Sequence, residues 1–151
     1  LAAALGRALR EIERLKKAPR IYFAGRNDGV AEELTLKINE ITRKPSVYLE
    51  GTYALHGIEE VMKKDEVLIL IEPFEDEFEG YKKHIEQGIG VSVLAVSSKE
   101  TPFPTFRIPI MGAYNEYLQL AAGWNIMIET GLASGINLDK PERARKVGNC
   151  A

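Results

Sequence analysis

Apolar and polar positions along this chain follow two rhythms in alternation. Leu1, Leu5, Leu9, Ile12 and Leu15 recur at helical spacing among Arg10, Glu11, Glu13, Arg14 and Lys16, which predicts an amphipathic helix ending at Ala18-Pro19. Arg20 to Ala24 is then a short, mostly apolar run halted by Gly25, the profile of a buried parallel strand. Gly25 to Gly29 reads as the turn into a second helix, with Asn27 or Asp28 as its N-cap. In that helix Val30, Leu34, Ile38 and Ile41 form the core-facing side, and it ends near Arg43-Lys44-Pro45.

The rhythm continues with a strand over Ser46 to Leu49, a loop or single turn from Gly51 to Gly57, and a short helix from Ile58 to Lys64. Glu66 to Ile71 is the strongest strand pattern in the chain, and Pro73 ends it. Glu75 to Gln87 predicts a surface helix, acidic first and basic later, as the helix dipole favours. Gly90 to Val96 is a fourth strand, and Phe106 to Ile110 a short fifth strand between prolines. Asn115 to Gly131 is a long apolar helix with Trp124 in its middle, expected to be buried nearly all round. Continuously apolar strands alternating with helices predict an α/β fold: one three-layer α/β/α sandwich over residues 1–151, built on a parallel sheet.

Composition narrows the function classes. A chain of 151 residues is long enough for one domain with a substantial core. Its net charge is −2 and no basic stripe interrupts it, so nucleic acid is not an expected partner. No apolar run approaches the ~18 residues of a membrane helix, so no membrane partner is expected either. The single cysteine, Cys150, permits no disulfide within the chain, which fits a reducing cytoplasm. The first residues are charged too soon for a signal peptide and lack an initiating methionine; the chain is expected to be a piece of a longer one.

The candidate chemistry gathers between Asp28 and Gly57. Glu33, Lys37 and Glu40 recur at i, i+4 and i+7 and so share one helix stripe beside the core face, and His56 follows after one strand. Two carboxylates, an ammonium and an imidazole suit proton transfer on a small polar substrate. Periodicity alone favours reading Glu33–Lys37 as an ordinary exposed ion pair. Gly25 and Gly29 do not have the spacing of a dinucleotide fingerprint, so no nucleotide site is expected. His56 and His84 are far apart and His84 sits on a charged helix; no metal site and no cofactor are expected. The hydroxyls and amides of Ser97 to Thr101, just after a strand end, could hold a phosphate.

Together these residues carry a resemblance. Glu33-x-x-x-Lys37-x-x-Glu40, followed by a sixteen-residue step to His56-Gly57, resembles the second sugar-isomerase (SIS) domain of the glucosamine-6-phosphate synthase and deaminase family. Asn137-x-Asp139-x-Pro141-x-x-x-x-Lys146 is similar to the C-terminal tail of that family, and Gly25-Arg26 after the first strand also suits it. The resemblance spans essentially the whole chain, although Phe74 to Ile110 is only generically similar.

What the resemblance implies is specific. Glu40 is the base that moves a proton between C1 and C2 of an open-chain sugar phosphate. His56 helps open the sugar ring and reaches the active site of a neighbouring subunit, which makes a homodimer the expected assembly. Lys37 supports the base, Glu33 belongs to the same substrate-binding stripe, and Lys146 closes over the substrate. The implied substrate is a phosphorylated amino sugar or ketose, converted from glucosamine 6-phosphate to fructose 6-phosphate and ammonia. The alternatives are the isomerase domain of the synthase and a sugar-phosphate-binding SIS domain without catalysis. Two positions depart from the family pattern: Tyr53 stands where it has a glutamate, and Ile58 where it has a proline. The Ser/Thr-rich phosphate loop of the first SIS half is absent, so the chain is expected to be the C-terminal half of a two-SIS enzyme, partnered by a first half in the same polypeptide.

Overall fold

The structure is a computed structural model that describes residues 2–26 and 28–143. Five parallel strands lie in the order β2-β1-β3-β4-β5: β1 (Ile21–Gly25), β2 (Ser46–Glu50), β3 (Val67–Ile71), β4 (Ser92–Ser97) and β5 (Thr105–Arg107). The α/β architecture is the expected one, a parallel sheet covered on both faces. Alternation within the strands divides the core. Ile21, Phe23, Ile69 and Val96 face a layer made by α1 (Ala2–Lys17), α2 (Val30–Thr42) and α4 (Asn115–Ala133). Tyr22, Leu68, Leu70 and Ala95 face the opposite layer, where Ala54, Met62, Tyr81 and Ile85 cover them. That second layer is a run of 3-10 turns, the short α3 (Phe78–Gly80) and a π-helical stretch over Tyr81–Gln87.

Gly25 shows why the sheet closes so tightly at its centre. Its φ is 130°, and a Cβ there would stand 2.0 Å from the carbonyl oxygen of Ile71, so only glycine lets β1 end against β3. Arg26 N–H donates to that same carbonyl at 3.1 Å.

The fifth strand, expected over Phe106 to Ile110, spans only Thr105–Arg107, and two helices differ from the sequence pattern. The helix expected over Ile58 to Lys64 is only a 3-10 turn, Ile58–Glu60, entered through Gly57 at φ 100°. A segment so short gains too few helical bonds to offset nucleation, and burying Met62 against the sheet fixes its path instead. The second difference is α4, which is not buried all round. Gly123, Ile126, Met127 and Thr130 face inward, while Tyr117, Trp124, Ile128 and Leu132 are exposed, Trp124 by 42%. A helix in an outer layer has a neighbour on one side only, so its second apolar stripe stays bare. Among the described residues no helix is long and apolar enough to cross a membrane.

Candidate functional site

The candidate site begins on α2. Its first turn is entered through Gly29, at φ 82°, and the Asp28 carboxylate accepts from the Val30 N–H at 3.0 Å. The N-cap is therefore Gly29, and Asp28, one of the two residues expected to cap the helix, stands one position before it; Asn27 lies outside the described residues. With Val30, Leu34 and Ile38 locked into the core, the helical period fixes Glu33, Lys37 and Glu40 together on an outward stripe. Lys37 Nζ lies 3.0 Å from Glu40 Oε2 and 3.9 Å from Glu33 Oε1. The hydrogen bond to Glu40, more than either Coulomb attraction, holds the Lys37 ammonium above its ordinary range.

At its far end α2 meets the C-terminal segment. Arg43, itself at φ 56°, places Nη1 2.5 Å from Glu142 Oε1 and donates through Nη2 to the Lys140 carbonyl at 3.3 Å. Asn137 organises that segment by accepting from the Asp139 N–H at 3.1 Å with its side chain and from the Lys140 N–H at 3.3 Å with its carbonyl. Between the two elements is a cavity of about 550 Å³ lined by Asn39, Glu40, Arg43, Pro141, Glu142 and Arg143. Lys146 lies outside the described residues.

His56 occupies the other end of the sheet. It follows the 3-10 turn Tyr53–Leu55, with Nε2 3.1 Å from Thr52 Oγ1 and its ring edge-on to Tyr53 at 6.3 Å. Asn39, beside Glu40, is bonded to Ser46 at the start of β2, whereas Gly51 receives the Gly25 N–H at the end of that strand. Five residues of β2 separate the two levels, roughly 16 Å of extended chain. One chain thus brings Glu33, Lys37 and Glu40 together and leaves His56 apart from them.

A second concavity, also about 550 Å³, opens over the carboxyl ends of β1, β3 and β4. Here the expectation for Ser97 to Thr101 changes. Ser97 Oγ donates to Glu72 Oε2 at 3.1 Å and the Ser98 N–H to Glu72 Oε1 at 2.6 Å, so the loop's leading donors already serve a buried carboxylate. A phosphate there would meet that charge. Glu72 and Gln119, both buried in this concavity, are residues the sequence pattern does not single out. The one signal was a carboxylate sitting immediately after an apolar strand. Among the described residues no group of three or more His, Cys, Asp or Glu is arranged to hold a metal ion.

No protein-family model matches the chain, and no curated protein sequence does. Solved structures do match it in fold. The C-terminal domain of glucosamine-fructose-6-phosphate aminotransferase from Francisella tularensis aligns over 91% of this chain and 43% of its own, with a TM-score of 0.68 and 12% identity. Glucosamine-6-phosphate deaminase from Thermotoga maritima aligns over 95% and 45%, with a TM-score of 0.67 and 20% identity. Tagatose-6-phosphate ketose/aldose isomerase from Escherichia coli aligns over 93% and 45%, with a TM-score of 0.69 and 16% identity. This chain spans less than half the length of each. At these identities the likeness is one of fold, and it is the fold that the sequence resemblance implied.

Proposed function

We propose that this chain is the catalytic, C-terminal SIS half of a longer phosphosugar enzyme that converts glucosamine 6-phosphate to fructose 6-phosphate and ammonia. The observation that carries the reading is the Lys37–Glu40 pair, 3.0 Å apart, with Glu40 lining the cavity that residues 141–143 close. The solved proteins of like fold support it, since each acts on, or is named for, a sugar phosphate.

In this reading His56 of a neighbouring subunit opens the sugar ring. Glu40 removes the C2 proton of the open-chain aldehyde and returns it to C1, which turns the 2-amino aldose into a 2-imino ketose phosphate. Water then displaces ammonia from C2, leaving fructose 6-phosphate. Lys37 steadies the negative charge that develops on the reacting oxygen. Glu40 is half-exposed in the single chain, and closure by the tail that carries Lys146 supplies the desolvation a carbon base requires. Arg143 lines the cavity, and Lys146 follows it by three residues in the sequence.

The separation of Glu40 from His56 in one chain supports an active site built from two copies. The first SIS half of the same polypeptide supplies the phosphate grip. The test is incubation of the full-length natural polypeptide with glucosamine 6-phosphate in the absence of glutamine. Ammonia and fructose 6-phosphate in equal amounts are expected, with turnover lost and sugar-phosphate affinity kept in Glu40→Gln. Conversion of fructose 6-phosphate to glucose 6-phosphate without ammonia would identify the synthase-type isomerase instead, and binding without turnover a sensor.

A further inference from the structure

The concavity over β1 and β3 lies where the strand order reverses direction, the position at which open α/β sheets take ligands. Its size, about 550 Å³, falls within the ~300–1,000 Å³ of small-molecule sites. Its two cations are already engaged along one wall. Arg26 stacks on the Phe74 ring at 4.7 Å, and Lys99 Nζ pairs with Glu75 at 2.5 Å.

The remaining polar lining is rich in acceptors. Asp28, Glu72 and Glu116 have no cationic partner among the described residues. Glu72 is held at φ 41°, an uncommon conformation for glutamate, with its carboxylate against Ser97 and Ser98. Burial, then the backbone hydrogen bond and the charge of Glu116, act on Asp28, and the net effect raises it above the ordinary carboxylate range. The independent observation is Gln119. It lines the concavity at 3% exposure, and its amide oxygen has no hydrogen-bond partner among the described residues.

Acceptors in excess require a ligand that brings donors. An inorganic anion fits poorly, because the Ser97 hydroxyl and Ser98 N–H are committed to Glu72. A bare metal ion fits poorly as well, because among the described residues no three such side chains are grouped to hold one. We propose that this concavity is a second binding site, separate from the α2 cavity, for a small hydroxylated amine: its ammonium meets Asp28 and Glu116, and its hydroxyls meet Glu72 and Gln119.

Calorimetric titration of the full-length natural polypeptide with glucosamine, glucose and gluconate tests this, since the three probes are alike in size and differ in charge. Glucosamine should bind about tenfold more tightly than glucose, with gluconate weakest. The double variant D28N/E116Q should erase the preference for glucosamine, and Gln119→Met should weaken both glucosamine and glucose. Saturating fructose 6-phosphate, the proposed product, should leave all three affinities unchanged, whereas competition by it would assign the binding to the proposed catalytic site and overturn the proposal. Circular dichroism checks that each variant is folded. Absence of glucosamine binding, tightest binding by gluconate, or a preference that survives in a folded D28N/E116Q would overturn the proposal.

Discussion

Arg43 and Glu142, ninety-nine positions apart, meet at 2.5 Å and join the end of the Glu40-bearing helix to the C-terminal segment. The pair is solvent-exposed, so its direct contribution to stability is small, within about 1 kcal/mol. Its importance lies in geometry, because the same contact borders the cavity that contains Glu40.

Arg43→Gln should therefore leave the unfolding free energy within about 1 kcal/mol of wild type while raising KM for the sugar phosphate. Urea denaturation and steady-state kinetics on the same preparation separate the two effects. A loss of stability with unchanged KM would assign the pair to structure alone.

The sheet centre predicts a contrast between two glycines. A Cβ on Gly25 would press against backbone atoms of Ile71 from 2.0 Å, whereas one on Gly29 meets nothing within 4 Å. Gly25→Ala should cost more than about 4 kcal/mol and yield insoluble protein. Gly29→Ala carries only the left-handed backbone penalty of about 1–2 kcal/mol. Thermal unfolding and soluble yield check both.

Tyr81 predicts a dependence on alkaline pH. Its hydroxyl is buried without a hydrogen-bond partner among the described residues, and burial first, then the Glu77 charge, pushes its pKa up to about 12. In the unfolded chain the same phenol ionises near 10. Above pH 10 the unfolded state releases a proton that the folded state keeps, so the stabilisation present below pH 10 is lost as pH rises toward 12. Tyr81→Phe should be neutral or stabilising at pH 8, and by pH 11.5 it should exceed wild type by roughly a further 2 kcal/mol. Urea midpoints at the two pH values measure the difference.

The strands are legible in the sequence because a sheet covered on both faces demands unbroken apolar runs, and Val67–Ile71 is buried throughout. The stripe of Glu33, Lys37 and Glu40 is legible for the same kind of reason, as helical periodicity fixes it once Leu34 and Ile38 are inside. Contacts between distant segments carry no such periodic mark. Glu66 reads as the first residue of a strand, yet its buried carboxylate accepts from the Tyr22 hydroxyl, forty-four positions away, at 3.0 Å. The bare stripe of Tyr117, Trp124, Ile128 and Leu132 is illegible because apolar residues surround α4 whether or not a neighbour covers them. The placement of Glu40 and His56 at opposite ends follows from parallel topology, since a helix leaving one strand must return the chain to the start of the next.

The proposed function requires those two ends to meet between subunits, and complementation tests that most directly. Glu40→Gln and His56→Asn in the full-length polypeptide should each be inactive alone in ammonia release from glucosamine 6-phosphate. Unfolded and refolded together, random pairing gives half mixed dimers, each with one intact site, so activity should recover to about a quarter of wild type. A mixture that stays as inactive as its components, although mixed dimers form, would contradict a site shared between two chains.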